Sequence, residues 1–193
     1  MSDNNTYIHP SAIIDPGAKI GKGTRIWHFC HLMPESRVGE NCILGQNVFI
    51  DNNAIVGNGV KIQNNVSVYN GVILEDDVFI GPSVVFTNVV NPRSFIERKT
   101  EFKRTLVKKG ASIGANATII CGVEIGSYSL VGAGALVTGP VPDFALVIGN
   151  PARQTGWVSK AGLKLNFDNE GIAKCPENGG TYKLQNNRIS PLK

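Results

Sequence analysis

Histidine is scarce in this chain. There are three in 193 residues, His9, His28 and His31. A catalytic or structural zinc needs three or four ligands converging on one point. Three imidazoles gathered near the start, with no paired cysteines beside them, do not give that, so no metal is expected. Cysteine is also sparse: Cys30, Cys42, Cys121 and Cys175 form no CxxC pair. That argues against a disulfide scaffold and a dithiol redox site, and reads as reduced, structural thiols. Aromatics make up only 7% of the residues. They are not interleaved with the basic residues, so a stacking surface for nucleic acid is not expected. No apolar run approaches the ~18 residues of a membrane-spanning helix. Met1 to Tyr7 is polar and lacks the build of a signal peptide. The expectation is one cytoplasmic protein with no nucleic-acid or membrane partner.

What the chain has in quantity is glycine, 22 residues, and a strict repeat. Stepping by six from Ile8 meets Ile14, Ile20, Ile26, Leu32, Val38 and Leu44, and so on to Ile80 and Phe86, every one large and apolar. Four residues after each comes a small or β-branched one, such as Ala12, Thr24, Cys30, Cys42, Ala54 and Val66. Between them lie turn-formers: Gly21-Lys22-Gly23, Asp51-Asn52-Asn53, Gly57-Asn58-Gly59. A period of six fits neither a helix nor a plain strand. The small and the large residue lie two apart, so on an extended segment they share one face. The polar triplet then bends the chain, where Gly, Asn and Asp tolerate positive φ. Three such units close one turn of a triangular prism of roughly eighteen residues, and turns stack ~4.8 Å apart. The fold class is all-β, a parallel β-helix of hexapeptide repeats.

The repeat fails from Thr87 to Leu106 and resumes at Val107, Ile113, Ile119, Ile125, Val131 and Val137. If Val107 takes the place due to residue 92, fifteen residues are inserted. They form an external loop over about residues 88–106, and long loops in compact domains are usually functional. From Arg93 to Lys109 there are seven basic and two acidic residues, a local excess of +5 against +4 for the whole chain. This cationic excursion suits phosphate or carboxylate groups. After Val141 the prolines and Gly149-Asn150 end the prism. The division expected is a β-helix over residues 1–158 and an irregular C-terminal tail over 159–193.

Several strings carry a resemblance: Ile26-Trp27-His28-Phe29, Gly45-Gln46-Asn47-Val48-Phe49-Ile50, Gln63-Asn64-Asn65-Val66-Ser67-Val68-Tyr69, Phe86-Thr87-Asn88, and Gly149-Asn150-Pro151-Ala152-Arg153. Over about residues 7–160 the chain resembles the acyl-CoA-dependent transferases of the left-handed β-helix superfamily. Within them it is similar to the N-acetyltransferases of UDP-2-acetamido-3-amino-2,3-dideoxy-glucuronic acid, which serve surface polysaccharide (O-antigen) biosynthesis. The resemblance implies left-handed winding, a homotrimer with each active site between two protomers, and acetyl-CoA as cosubstrate. It implies a UDP-amino sugar acceptor, with Asn88 at the reacting amine. Arg93, Lys103 and Arg104 are the candidates for acceptor anions, Tyr69 and Asn70 for the sugar or base, and Arg25, His28 and Glu35 are further candidates. Gly132, Ala133 and Gly134 would let the pantetheine approach the backbone, and Asn150, Pro151 and Arg153 would meet the rest of the coenzyme.

Two features of the sequence temper this. Asn52, Asn70 and Asn88 are eighteen apart and should stack in one column, so each has a structural reading as a ladder rung. No histidine lies near the loop, so a general base is not required by the pattern. Amine attack on a thioester can be driven by positioning and by a donor at the oxyanion. The alternatives are acetylation of another nucleotide amino sugar, such as a dTDP-3-amino-3,6-dideoxyhexose, or a non-catalytic structural β-helix. An ice-binding surface would need outward Thr columns, and a γ-carbonic-anhydrase site would need three facing histidines. Neither is present in the sequence.

Overall fold

The computed structural model describes residues 5–192. The first four residues of the polar lead-in lie outside the described residues. Among the described residues the coils stack into a prism with three parallel faces. The first face runs from Tyr7–Ile8 through Arg25–Ile26 and Ile43–Leu44 to Leu130–Val131 and Ala145–Ile148. The second runs from Ile13–Ile14 through Ser67–Val68 and Val85–Phe86 to Leu136–Val137. The third runs from Lys19–Ile20 through Val72–Leu74 and Thr105–Val107 to Glu124–Ile125.

The register follows the six-residue pattern. Ile8 pairs with Ile26 and Ile26 with Leu44, one full coil apart. Across the interruption Leu74 pairs with Val107, so the insertion is fifteen residues and the helix resumes in phase. The second residue of each two-residue strand points inward. Ile26, Leu32, Leu44, Ile50, Ile62, Ile80, Ile113, Ile119 and Ile125 are wholly buried. Each contributes about 1.5–3 kcal/mol of hydrophobic stabilisation. The small positions fill the corners. Thr24 shows how a polar residue survives there: its hydroxyl donates to Gly39 O at 2.8 Å and accepts from Cys42 N at 3.0 Å.

Corner geometry explains the Asn and Gly content. The last corner residue adopts left-handed backbone, as at Asn41, Asn53, Asn65 and Asp77 with φ of 56–61°. Rungs then run up the corners: Asn64 Oδ1 accepts from Gln46 N, and Asn58 Oδ1 from Glu40 N, both at 2.8 Å. The four cysteines are free and buried. Cys30 and Cys42 donate to Gly45 O and Gly57 O at 3.0 and 3.1 Å, and burial pushes both thiols up from their ordinary pKa.

The end of the chain corrects the expectation of an irregular tail. Arg153–Trp157 turns back antiparallel against Ala145–Ile148. Ile172–Lys174, Thr181–Gln185 and Arg188–Pro191 then form a three-stranded antiparallel meander. Its last hairpin turns on Asn186 and Asn187, both left-handed, the backbone that a two-residue type I′ turn demands. Ala173, Cys175 and Tyr182 are buried, and Tyr182 packs edge-on to Phe144, which stacks on Tyr128. The meander thereby covers the last coil. The alternation Tyr182-Lys183-Leu184 before Asn-Asn was a readable hairpin signal. It occurs once, so the repeat gave it no support.

Candidate active site

The long loop leaves the prism at the edge between the second and third faces, after Val85–Phe86, and returns at Thr105–Val107. Its base is tightly tied. Lys103 N donates to Asn88 O at 3.1 Å, and Thr105 N to Gly71 O at 3.0 Å. The Thr87 hydroxyl accepts from Cys121 N at 2.9 Å. The tip folds into a small bridge between Arg93 and Ile96. There Phe95 is 82% exposed and Val90 56%. Between tip and base the 3-10 turn Lys99–Glu101 is held by Arg98, whose Nη1 reaches both Glu101 carboxylate oxygens at 2.8 and 2.9 Å.

Below the loop base lies the expected asparagine column. Asn70 Nδ2 sits 3.5 Å from Asn52 Oδ1, a long contact. Asn70 and Asn52 are held more firmly through their backbone, both N–H groups donating to Asp51 at 3.1 and 2.8 Å. Asn88 continues the column one coil up. Its carbonyl holds the loop, while its side-chain amide makes no hydrogen bond among the described residues. Asn52, Asn70, Thr100 and Phe102 line an open cleft of about 570 Å³. The sequence reading did not single out Thr100 and Phe102 as site residues. They lie in the segment without register, where a six-residue step gives no address.

The structure therefore brings together Asn70, Asn88, Lys103 and Arg104. Tyr69 lies at the same corner, its ring 6.3 Å from Phe49. Lys103 drapes its aliphatic stem over the corner of the next coil: a Cβ placed on Gly122 would stand 3.1 Å from Lys103 Cδ. Glu35 is exposed on the same edge two coils below Asn70, with φ of 59°. Arg93 sits at the loop tip and donates to its own neighbour Pro92 O at 3.0 Å.

Other candidates lie elsewhere. Arg25 is on the first face in the second coil, and with Tyr7 and Trp27 it borders a cavity of about 340 Å³. His28, at the edge between the first and second faces, lies against His9, ring centroids 3.5 Å apart and planes tilted by 30°. Burial, and then the charge of His28, lowers the His9 pKa below its ordinary value. Gly132, Ala133 and Gly134 form the corner between the first and second faces near the top of the prism. Asn150 and Pro151 lie above them, in a turn where Leu136 N donates to Gly149 O at 3.0 Å and Ala152 N to Leu136 O at 2.8 Å. Gly134 has φ of 69° and open space where a side chain would be. Arg153 borders a cavity of about 330 Å³ over the prism end, with Thr138 and Gly139.

The loop-base group (Asn70, Asn88, Lys103, Arg104) and the Gly132–Gly134 group thus occupy two different edges of one prism, on either side of the second face. One chain alone does not fold these two groups onto each other. Among the described residues no cluster of His, Cys, Asp and Glu has the form of a metal site. No described helix is long and apolar enough to cross a membrane.

Comparison with known proteins agrees with this architecture. The bacterial transferase hexapeptide family (six repeats) matches residues 17–52, 53–88 and 104–139. The dTDP-3-amino-3,6-dideoxy-alpha-D-galactopyranose 3-N-acetyltransferase of Aneurinibacillus thermoaerophilus is 48% identical over 192 residues, 99% of this chain and 97% of its own. That relative is named for a dTDP-linked 3-amino-3,6-dideoxy sugar, the kind of acceptor given above as the alternative to UDP-linked glucuronate. Two solved structures share the fold. PerB from Caulobacter crescentus, in complex with CoA and GDP-perosamine, is 24% identical with a TM-score of 0.52, covering 79% of this chain and 57% of that one. The acetyltransferase domain of PglB from Neisseria gonorrhoeae, in complex with acetyl coenzyme A, is 22% identical with a TM-score of 0.52, covering 78% and 58%. This chain spans a little over half the length of those two. The interrupted prism, its six-residue register and the full-length likeness lead to one conclusion: the chain is a left-handed β-helix enzyme belonging to the bacterial transferase hexapeptide family.

Proposed function

We propose that this protein transfers the acetyl group of acetyl-CoA to the amino group of a nucleotide-linked amino sugar, and that the acceptor is a dTDP-3-amino-3,6-dideoxyhexose. The observation that carries the reading is the 48% identity, over 99% of the chain, to an enzyme named for that reaction. The alternative acceptor of the sequence analysis thereby becomes the main one, and the UDP-linked uronic acid recedes.

The chemistry fits the residues at the loop base. The neutral amine attacks the thioester carbonyl, a C–N bond forms, and the carbonyl electrons move to oxygen. Collapse of that oxyanion breaks the C–S bond, and the CoA sulfur leaves as thiolate and takes up the proton the amine loses. Asn88 is the residue for the reacting centre, because its side-chain amide is uncommitted while its carbonyl is fixed by Lys103 N. A preorganised donor at a developing oxyanion is worth roughly 10²–10³ in kcat. Lys103, Arg104 and Arg93 offer cations for the diphosphate, and Tyr69 an aromatic face for the sugar or base. Gly132, Ala133, Gly134, Asn150 and Pro151 form a wall of small residues for the pantetheine, and Arg153 a cation for its phosphates.

A homotrimer follows from the same reading. Two half-sites on separate edges meet when copies stand side by side, the loop of one over the Gly132–Gly134 corner of the next. The exposed Phe95 and Val90 at the loop tip suit burial against a neighbour. The test is thiol release from acetyl-CoA against a panel of dTDP- and UDP-linked 3-amino sugars. Turnover with the dTDP-linked 3-amino-3,6-dideoxyhexose is the expected result. Absence of release with every sugar overturns the reading.

A further inference from the structure

We infer that the cleft between Asn52, Asn70, Thr100 and Phe102 is the sugar's specificity wall, and that it selects an acceptor with an uncharged C6. The inference rests on the acetyl-transfer reading above and adds which residues choose the sugar. The cleft measures about 570 Å³, within the ~300–1,000 Å³ usual for small-molecule sites. Asn70 in its lining lies one coil below Asn88, so a sugar ring held in the cleft brings its amine toward Asn88.

The charges around the cleft decide what that ring can carry. Its lining is two neutral amides, a hydroxyl and a phenyl ring. The fixed charge bound to its floor is negative: Asp51 accepts the backbone N–H of both Asn52 and Asn70, at 2.8 and 3.1 Å. Among the described residues two nearby cations are engaged away from the cleft, and Arg104 is the one offered to the diphosphate. Arg98 is spanned by both Glu101 oxygens at 2.8 and 2.9 Å. Lys103 lies along Gly122, toward the next coil and away from the cleft. With Arg104 engaged by the diphosphate, a carboxylate at C6 would meet the like charge of Asp51 and a neutral wall, an arrangement that disfavours such a ligand. A methyl at C6 would meet Phe102, a contact worth roughly fourfold in affinity. Thr100 and Phe102 reach the cleft because the Arg98–Glu101 pair holds the intervening 3-10 turn.

The experiment compares two acceptors that share the nucleotide and differ at C6: dTDP-3-amino-3,6-dideoxyhexose and the corresponding dTDP-3-amino-3-deoxyhexuronate. The wild-type protein is expected to favour the 6-deoxy sugar by roughly a hundredfold in kcat/KM. Phe102→Arg places a cation on the wall and is expected to shrink that ratio at least about tenfold, chiefly by lowering KM for the uronate. Phe102→Leu keeps the wall apolar and is expected to preserve the ratio. A wild-type ratio near one, or a ratio unmoved by Phe102→Arg, overturns the specificity wall while leaving acetyl transfer standing. Turnover of neither sugar overturns the acetyl-transfer reading and this inference together.

Discussion

Replacing Asn88 by alanine separates chemistry from architecture, because the residue does two things with two different groups. Its carbonyl accepts from Lys103 N at 3.1 Å and ties the loop. That bond survives in Asn88→Ala, since alanine keeps the backbone. Its side-chain amide makes no hydrogen bond among the described residues, and the residue is half-buried. Removing the amide therefore orphans no buried partner, and the expected stability loss is within about 0.5 kcal/mol. For a chain of this size that corresponds to about 1–2 °C in Tm. If the amide holds the developing oxyanion, kcat falls by about 10²–10³, or ~2.7–4 kcal/mol of transition-state stabilisation. The natural control is Asn70→Ala one coil below, which gives up a 3.5 Å contact to Asn52 and nothing aimed at the thioester. Thiol release is a convenient assay because all four cysteines are buried and contribute little background. Matched Tm losses in Asn70→Ala and Asn88→Ala with kcat intact would show that the column is only a ladder, and would refute the role given to Asn88.

Three other outcomes are expected. Lys103→Ala and Arg104→Ala should each raise KM for the nucleotide sugar and weaken its dependence on salt, while KM for acetyl-CoA holds steady; initial rates at two ionic strengths check this. Gly132→Ala should lower Tm clearly, because its Cβ would stand 2.6 Å from Ile148 Cγ2. Gly134→Ala has open space, so it should cost only about 1 kcal/mol for its positive φ while raising KM for acetyl-CoA; a wild-type KM in Gly134→Ala would take that corner out of the coenzyme path. His9 titrates below its ordinary value when folded, so the unfolded chain binds its proton first as pH falls. Stability is therefore expected to decline as pH drops below the unfolded value of about 6.5, and His9→Gln should flatten that decline in pH-dependent Tm measurements.

The prism was legible because one constraint recurs at every coil. Ile26, Leu44 and Ile62 occupy the same slot, so a wrong register would fail at all of them together. The in-phase return at Val107, paired with Leu74, follows from the same arithmetic. The edges on which Asn88 and Gly132 lie were also fixed by the repeat. The cleft wall was not legible, since Thr100 and Phe102 belong to a segment with no period, where an ion pair between Arg98 and Glu101 ties the turn. The terminal meander escaped for a related reason. Its pattern is ordinary strand alternation, and the buried contacts of Tyr182 with Phe144 become visible only once the coils are wound.

The placement of Asn88 and Gly134 on separate edges has a genetic consequence. In the trimer proposed above, each cleft would take one edge from a protomer and the other edge from its neighbour. Co-refolding a variant crippled at Asn88 with one crippled at the Gly132–Gly134 corner yields mixed rings that contain one cleft built wholly from unaltered residues. Two inactive preparations should therefore complement each other in one tube, as two defective alleles would in one cell, and an enzyme whose site lay within a single chain would stay silent.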